Sequence, residues 1–230
     1  MPEINKLPLR ERKYAQTKLN LRQAVAERLE SRTLDDIPVK ELCDAALVSE
    51  ATFFNYFPRK ADLINYLIQL WTMEVNWHGQ QAARNGAGLA VIEAIFERAA
   101  VQIQRHPGLM GEIIAHHARL RERPRLPDLT LAERLLAFPD LPGIEDTPDK
   151  GIESVLVPSL QEAVHLEELP PNTHVNTVMV ALVSIFFGVP LALRVANPQG
   201  IGGMYKQQLQ VLWAGVRGVS DKRGRIPFTP

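Results

Sequence analysis

The chain has a single cysteine, Cys43, in 230 residues. That excludes an internal disulfide framework and a cysteine zinc site, and it fits a reducing compartment. Neither sign of charge is in excess: 26 Lys and Arg stand against 26 Asp and Glu, so the overall balance gives no pull toward polyanions. A Gly-rich phosphate loop, a G-x-S-x-G elbow and an H-E-x-x-H pair are all missing, which argues against an enzyme, the rival class, and leaves no catalytic residue to name. The most apolar stretch, 178–193, is 16 residues long and contains Ser184, Gly188 and Pro190. It falls short of the roughly 20 apolar residues that span a bilayer, so a buried or interface helix is expected and no membrane partner. The N-terminal "MPEINKLPLRERKYAQTK" lacks the apolar core of a signal peptide, and a cytoplasmic location is expected.

What the chain does have is apolar bulk and helical spacing. Hydrophobic residues make up 46%, enough for a sizeable core. Apolar residues recur at Leu21, Ala24, Val25 and Leu29, predicting a helix from about Arg12 to Ser31. "TLDDIP" breaks it, and Pro38, suited to a first helical turn, opens the short helix "VKELCDAAL". Ser49, a good N-cap, opens a third that ends near Tyr56, before Pro58. A longer fourth helix, from Lys60 or Ala61 to about Gln81, carries Leu63, Ile64, Leu67, Ile68, Trp71 and Val75. Further helices are expected near 88–105, 109–123, 131–138, 152–168, 173–196 and 201–219, with a proline-rich loop over 124–151 and a frayed tail "SDKRGRIPFTP". No strand alternation competes, and the predicted class is all-α.

Only eight Phe, four Tyr and three Trp occur in the chain, yet Phe53, Phe54, Tyr56 and Phe57 crowd into five positions beside Arg59 and Lys60. Two short helices joined by "ALVS" form a helix-turn-helix pattern, in which the first helix braces and the second can enter a DNA major groove. Phe53 and Phe57, four apart, can pack inward, which turns Glu50, Ala51, Asn55 and part of Phe54 outward. Asn can pair with adenine, Glu can accept from cytosine, and Ala51 and Phe54 can meet a thymine methyl. Ser49, Thr52, Tyr56 and Lys60 flank that face with groups suited to phosphate. Charge agrees: residues 1 to 28 carry seven Lys or Arg against three Glu. Arg10, Arg12, Lys13 and Lys18 could add an arm beside the recognition helix, although charge runs are also common on solvated faces.

The stretch "VSEATFFNYFPRKADL" resembles the helix-turn-helix signature of the tetracycline-repressor (TetR) family of transcriptional regulators. Val48, Ser49, Thr52, Phe53, Phe54, Tyr56, Phe57, Lys60 and Leu63 carry the match, which extends upstream through "AVAERLESRTLDDIPVKELCDAA". The resemblance implies that Thr52, Tyr56 and Lys60 hold phosphates, that Glu50, Ala51 and Asn55 face bases, and that Lys40 approaches the DNA backbone. It implies a DNA-binding domain over 1–59 and a larger helical domain over 60–230 that binds an effector and forms a homodimer on a palindromic operator, most often as a repressor. This chain departs from the family at Leu47 and Thr33, where glycine is usual, and at Phe54, often a tyrosine whose hydroxyl bonds phosphate.

The resemblance also implies an effector pocket among the later helices, where Trp71, Trp77, Phe96 and Met110 surround the larger core and His78, His116 and His117 could supply polar contacts. Adjacent helical positions diverge by about 100°, so His116 and His117 are not expected to share a metal ion, and no cofactor is expected. A small-molecule effector and a protein partner remain alternatives as the controlling signal. The apolar 178–193 segment predicts an interface between copies, with Phe186 in it and a kink at Pro190.

Overall fold

The computed structural model describes residues 4–122 and 126–221, and among these it is all-helical, with no strand. The helices are α1 (Leu9–Leu29), α2 (Val39–Ala46), α3 (Glu50–Tyr56), α4 (Lys60–Asn85), α5 (Leu89–Arg105), α6 (Pro107–Arg119), α7 (Leu131–Ala137), α8 (Glu153–His165), α9 (Val175–Leu193) and α10 (Ile201–Asp221). Every helix expected from the sequence is present, and the differences lie at the ends. α1 begins three residues early because Pro8, in extended backbone, sets its start. α4 runs four residues further, to Asn85. The expected end of the sixth helix at Arg123 and the tail from residue 222 lie outside the described residues.

The chain forms two compact units. The first gathers residues 1–77 and 105–151, so the expected 1–59 module sits inside a larger body that also holds α6 and α7. The physical reason is burial on α1, whose Ala15, Leu21, Ala24, Val25 and Leu29 are fully or almost fully covered. All residues from Leu63 to Leu70 on α4 are buried as well, polar Asn65 and Gln69 included. α7 starts with a capping box: the Thr130 hydroxyl accepts from the Glu133 amide, and the Glu133 carboxylate accepts from the Thr130 amide. Arg134 then winds the segment after α7 around itself, donating to the carbonyls of Leu129, Glu145 and Thr147 and to the Asp149 carboxylate. The described part of the stretch expected as loop, residues 126–151, therefore holds α7 and hydrogen-bonded turns after it.

The second unit holds residues 78–104 and 152–230. α5 turns Leu89, Ile92, Ile95, Phe96, Ala99 and Ile103 inward, a stripe of helical period. Its N-terminus is capped from outside by Glu168, whose carboxylate accepts from the Leu89 amide at 2.8 Å. Gly88 precedes it at φ +59°, where a Cβ would collide with that same carboxylate, so both backbone and space demand glycine. Phe96 meets the rings of Phe186 and Tyr205 edge-on at 5.4 and 5.0 Å. Phe186 is thus a core residue, 6% exposed, and not the interface residue expected from the sequence.

Pro190 sits inside α9 and has no N–H to give the carbonyl of Phe186 four residues back. The buried Tyr205 hydroxyl donates to that carbonyl instead, at 2.6 Å. The helix continues to Leu193. Among the described residues α9 is the one helix long and apolar enough to cross a membrane, but Val178, Leu182, Phe186 and Val189 pack into the second unit.

Candidate nucleic-acid interface

α2 and α3 are joined by a left-handed residue. Leu47, at φ 56° and ψ 44°, donates to the Asp44 carbonyl, and the Val48 amide reaches back to the Cys43 carbonyl. This is a Schellman closure with leucine at the position glycine usually fills. Leu47 is 91% exposed, so packing does not hold it there. Thr33, the other departure, takes no positive φ and accommodates its turn by a hydroxyl bond to Asp36 at 2.6 Å.

α3 is seven residues long and is fixed from within. Ser49 caps it, its hydroxyl accepting from the Thr52 amide at 3.1 Å. Phe53 is fully buried and Phe57 nearly so, their rings 5.8 Å apart, and Phe57 packs on Tyr66 of α4 at 5.6 Å. Cys43 lies on the covered side of α2, where burial, then Glu50 and Asp44, push its thiol up. With that side fixed, Ser49, Glu50, Ala51, Phe54 and Asn55 are exposed, Thr52 and Tyr56 are half-exposed, and Lys40 of α2 is exposed. The brace helix is tied to α1 by Glu41, which binds Arg28 at 2.5 Å and Arg32 at 2.9 Å.

Two cations differ from their expected use. Lys60 turns its ammonium to the carbonyls of Ile37 at 2.9 Å and Asp35 at 3.3 Å, closing the α1–α2 loop onto the start of α4. It is half-buried, and two of its three donors are occupied. Lys18 is inside the first unit, paired with Glu133 at 2.5 Å and lying over the Tyr66 ring. Burial pushes the Glu133 carboxyl up, but the Lys18 ammonium and the Thr130 groups outweigh it and hold it below the usual carboxylate range.

The seven residues expected around an effector do not share one unit. Trp71, Trp77, Met110, His116 and His117 belong to the first, whereas His78 and Phe96 belong to the second. Trp77 donates its indole N–H to the Pro142 carbonyl at 3.0 Å, and Met110 is buried. His117 Nδ1 donates to the Ile113 carbonyl, while His116 Nε2 lies 2.9 Å from Asn65 Oδ1. Burial, then His117, push the His116 imidazole below its ordinary value, against the opposing pull of Glu112. Among the described residues no cluster of metal-ligating groups occurs.

Sequence reasoning passed over a second row on α4. Asn65, Gln69, Thr72 and Asn76 are all buried and follow one helical stripe. Asn65 meets His116, and Asn76 donates to the Lys150 carbonyl at 2.8 Å. The signal was present as polar residues at intervals of four, three and four inside an apolar run.

No protein-family model and no curated protein matches the sequence. Solved structures do. The chain is similar to the ketosteroid transcriptional regulator KstR2 of Mycobacterium tuberculosis, with 17% identity and a TM-score of 0.55 over 87% of this chain and 94% of that one. It is similar to GusR of Salmonella enterica, with 16% identity and a TM-score of 0.54 over 90% and 96%. A TetR family transcriptional regulator from Chloroflexus aurantiacus matches at 15% identity and a TM-score of 0.46 over 94% and 95%. The first two establish the fold, an all-α fold shared with a transcriptional regulator. The 48–63 motif spans the turn after α2, the whole of α3 and the start of α4.

Proposed function

We propose that the chain is a DNA-binding transcriptional regulator that acts as a homodimer in the cytoplasm, reading a palindromic operator and repressing the genes behind it. The observation that carries this is α3. It is a short capped helix whose buried aromatics leave Glu50, Ala51, Phe54 and Asn55 exposed as a row of groups that match base edges. Ser49, Thr52, Tyr56 and Lys40 surround that row with donors for phosphate, and Lys60, with one free donor, acts mainly as a positioning residue for the loop.

Dimerisation is supported by the outward side of α9 and α10. Val180, Val183, Leu191 and Val211 are exposed, and Gly188, Gly203, Gly215 and Gly218 have open space where a Cβ would stand. An apolar face of that kind is costly in water and fits a two-fold copy of itself. Half-sites about 34–36 Å apart, or at a related helical spacing, are expected. Effector control is the reading for the buried polar stripe of α4, since buried amides without a full set of partners need a ligand or water. A metabolite that shifts the melting temperature of the wild type but not of Gln69→Leu supports it.

The decisive experiment selects bound duplexes with the purified protein and then compares Asn55→Ala with wild type. The variant is expected to lose about 1–3 kcal/mol on the selected operator and to relax selectivity at one position of each half-site. Equal losses on operator and scrambled duplex would put α3 outside the groove and sink the reading.

A further inference from the structure

We infer that the cations engaging the DNA backbone beside the recognition helix are Arg10 and Lys13 of α1, acting from a cleft shared with the end of α3. The inference rests on the DNA-binding reading above. The cleft is open, about 630 Å³ in volume, and lined by Leu9, Arg10, Lys13, Tyr14 and Thr17 of α1 with Asn55 and Tyr56 of α3. Arg10 and Lys13 are exposed, lie one turn apart on the same side of α1, and make no ion pair among the described residues. No carboxylate lines the cleft.

Chemistry selects the occupant. Arg and Lys offer donors and no acceptors. Thr17 has already given its hydroxyl proton to the Lys13 carbonyl at 2.9 Å, so the free donors of this wall are the two cations and the Tyr14 hydroxyl, with the Tyr56 hydroxyl and the Asn55 amide at its edge. A multivalent anion on a backbone fits that set, and the cleft ends on the residues placed for the major groove, so a duplex phosphate adjoining the contacted bases reaches both. Tyr14 meets Tyr56 edge-on at 4.5 Å, which brings α1 against the end of α3. Lys40 of α2 is exposed and keeps its phosphate role, while three other basic residues near the cleft have partners of their own. Arg12 bonds Asn5, Lys18 is buried on Glu133, and Lys60 gives two of its three donors to carbonyls.

The test measures affinity across a salt series for the selected operator and for a scrambled duplex of equal length. Arg10→Ala and Lys13→Ala are each expected to reduce the slope of log K against log salt by about 0.9 per contact, roughly 1.8 for a dimer, and equally on both duplexes. Lys13→Arg is expected to keep the wild-type slope. Arg10→Gln repeats the test should the alanine variant fold poorly. Unchanged slopes in the Arg10 and Lys13 variants, with Asn55→Ala still relaxing selectivity, overturn the cleft and spare the function. A wild type that binds neither duplex overturns both. Millimolar inorganic phosphate at constant ionic strength is expected to leave duplex affinity unchanged; if wild type captures it and Arg10→Ala does not, the cleft is a small-anion site and the duplex assignment is wrong.

Discussion

The Lys18 ammonium lies between the Glu133 carboxylate and the face of the Tyr66 ring, 4.2 Å from its centroid, with side-chain exposures of 8% for Lys18 and 1% for Glu133. Removing one partner of such a pair strands the other charge, at a cost of about 3–5 kcal/mol, whereas replacing both with apolar groups of similar size is often neutral. Lys18→Met and Glu133→Leu are therefore each expected to lower stability by that order, and the double variant to recover most of it, in denaturant titrations. The sign with pH follows from the lowered Glu133 value. Its stabilisation is complete above the ordinary carboxylate value of 4.5 and is lost as pH falls through the lower folded value. Glu133→Gln should flatten the acid limb of stability against pH. Leu47 makes the opposite case, since a left-handed leucine with no packing costs about 1–2 kcal/mol. Leu47→Gly is expected to raise the denaturation midpoint, by less than that amount because glycine also loosens the unfolded chain. A destabilised Leu47→Gly variant would mean that the leucine side chain has a contact this conformation does not show.

At the level of elements, α9 depends on α10 for one hydrogen bond that its own sequence cannot make. Pro190 leaves the Phe186 carbonyl open, and Tyr205 closes it. An unsatisfied buried carbonyl costs about 1–3 kcal/mol, so Tyr205→Phe should destabilise by that order in the Pro190 chain. In a Pro190→Ala background the helix supplies its own donor, and Tyr205→Phe is expected to cost much less. A double-mutant cycle reads the coupling directly; additive effects would show that the two residues are independent. The helices themselves were legible in sequence because apolar period, Ser49, Pro38 and Pro58 mark them. Which side of α9 faces inward was not, since nearly every residue from Val178 to Leu193 is apolar and a uniform run has no period to read. That is why Phe186 was expected at an interface and is instead packed on Phe96 and Tyr205.

For the whole molecule, the proposed dimer draws on the α9 and α10 residues that the second unit leaves exposed. Val180→Arg and Leu191→Arg, at 68% and 61% exposure, should turn the proposed dimer toward monomer in sedimentation while leaving helical content intact. Operator affinity should fall with the dimer, because two half-sites then no longer act together. Either variant remaining a full dimer would place the interface elsewhere. The sequence alone determined the all-α class and the face of α3: a short segment with caps and aromatics four apart specifies its own helix and its inward side. Tertiary structure decided where the charges went. Lys18, Lys60, Arg10 and Lys13 are alike as letters, and only packing sends Lys18 to a carboxylate on α7 and Lys60 to loop carbonyls while leaving Arg10 and Lys13 in an open cleft. Their partners lie far along the chain, and a cation's role is set by which acceptors the fold brings within about 3 Å of it.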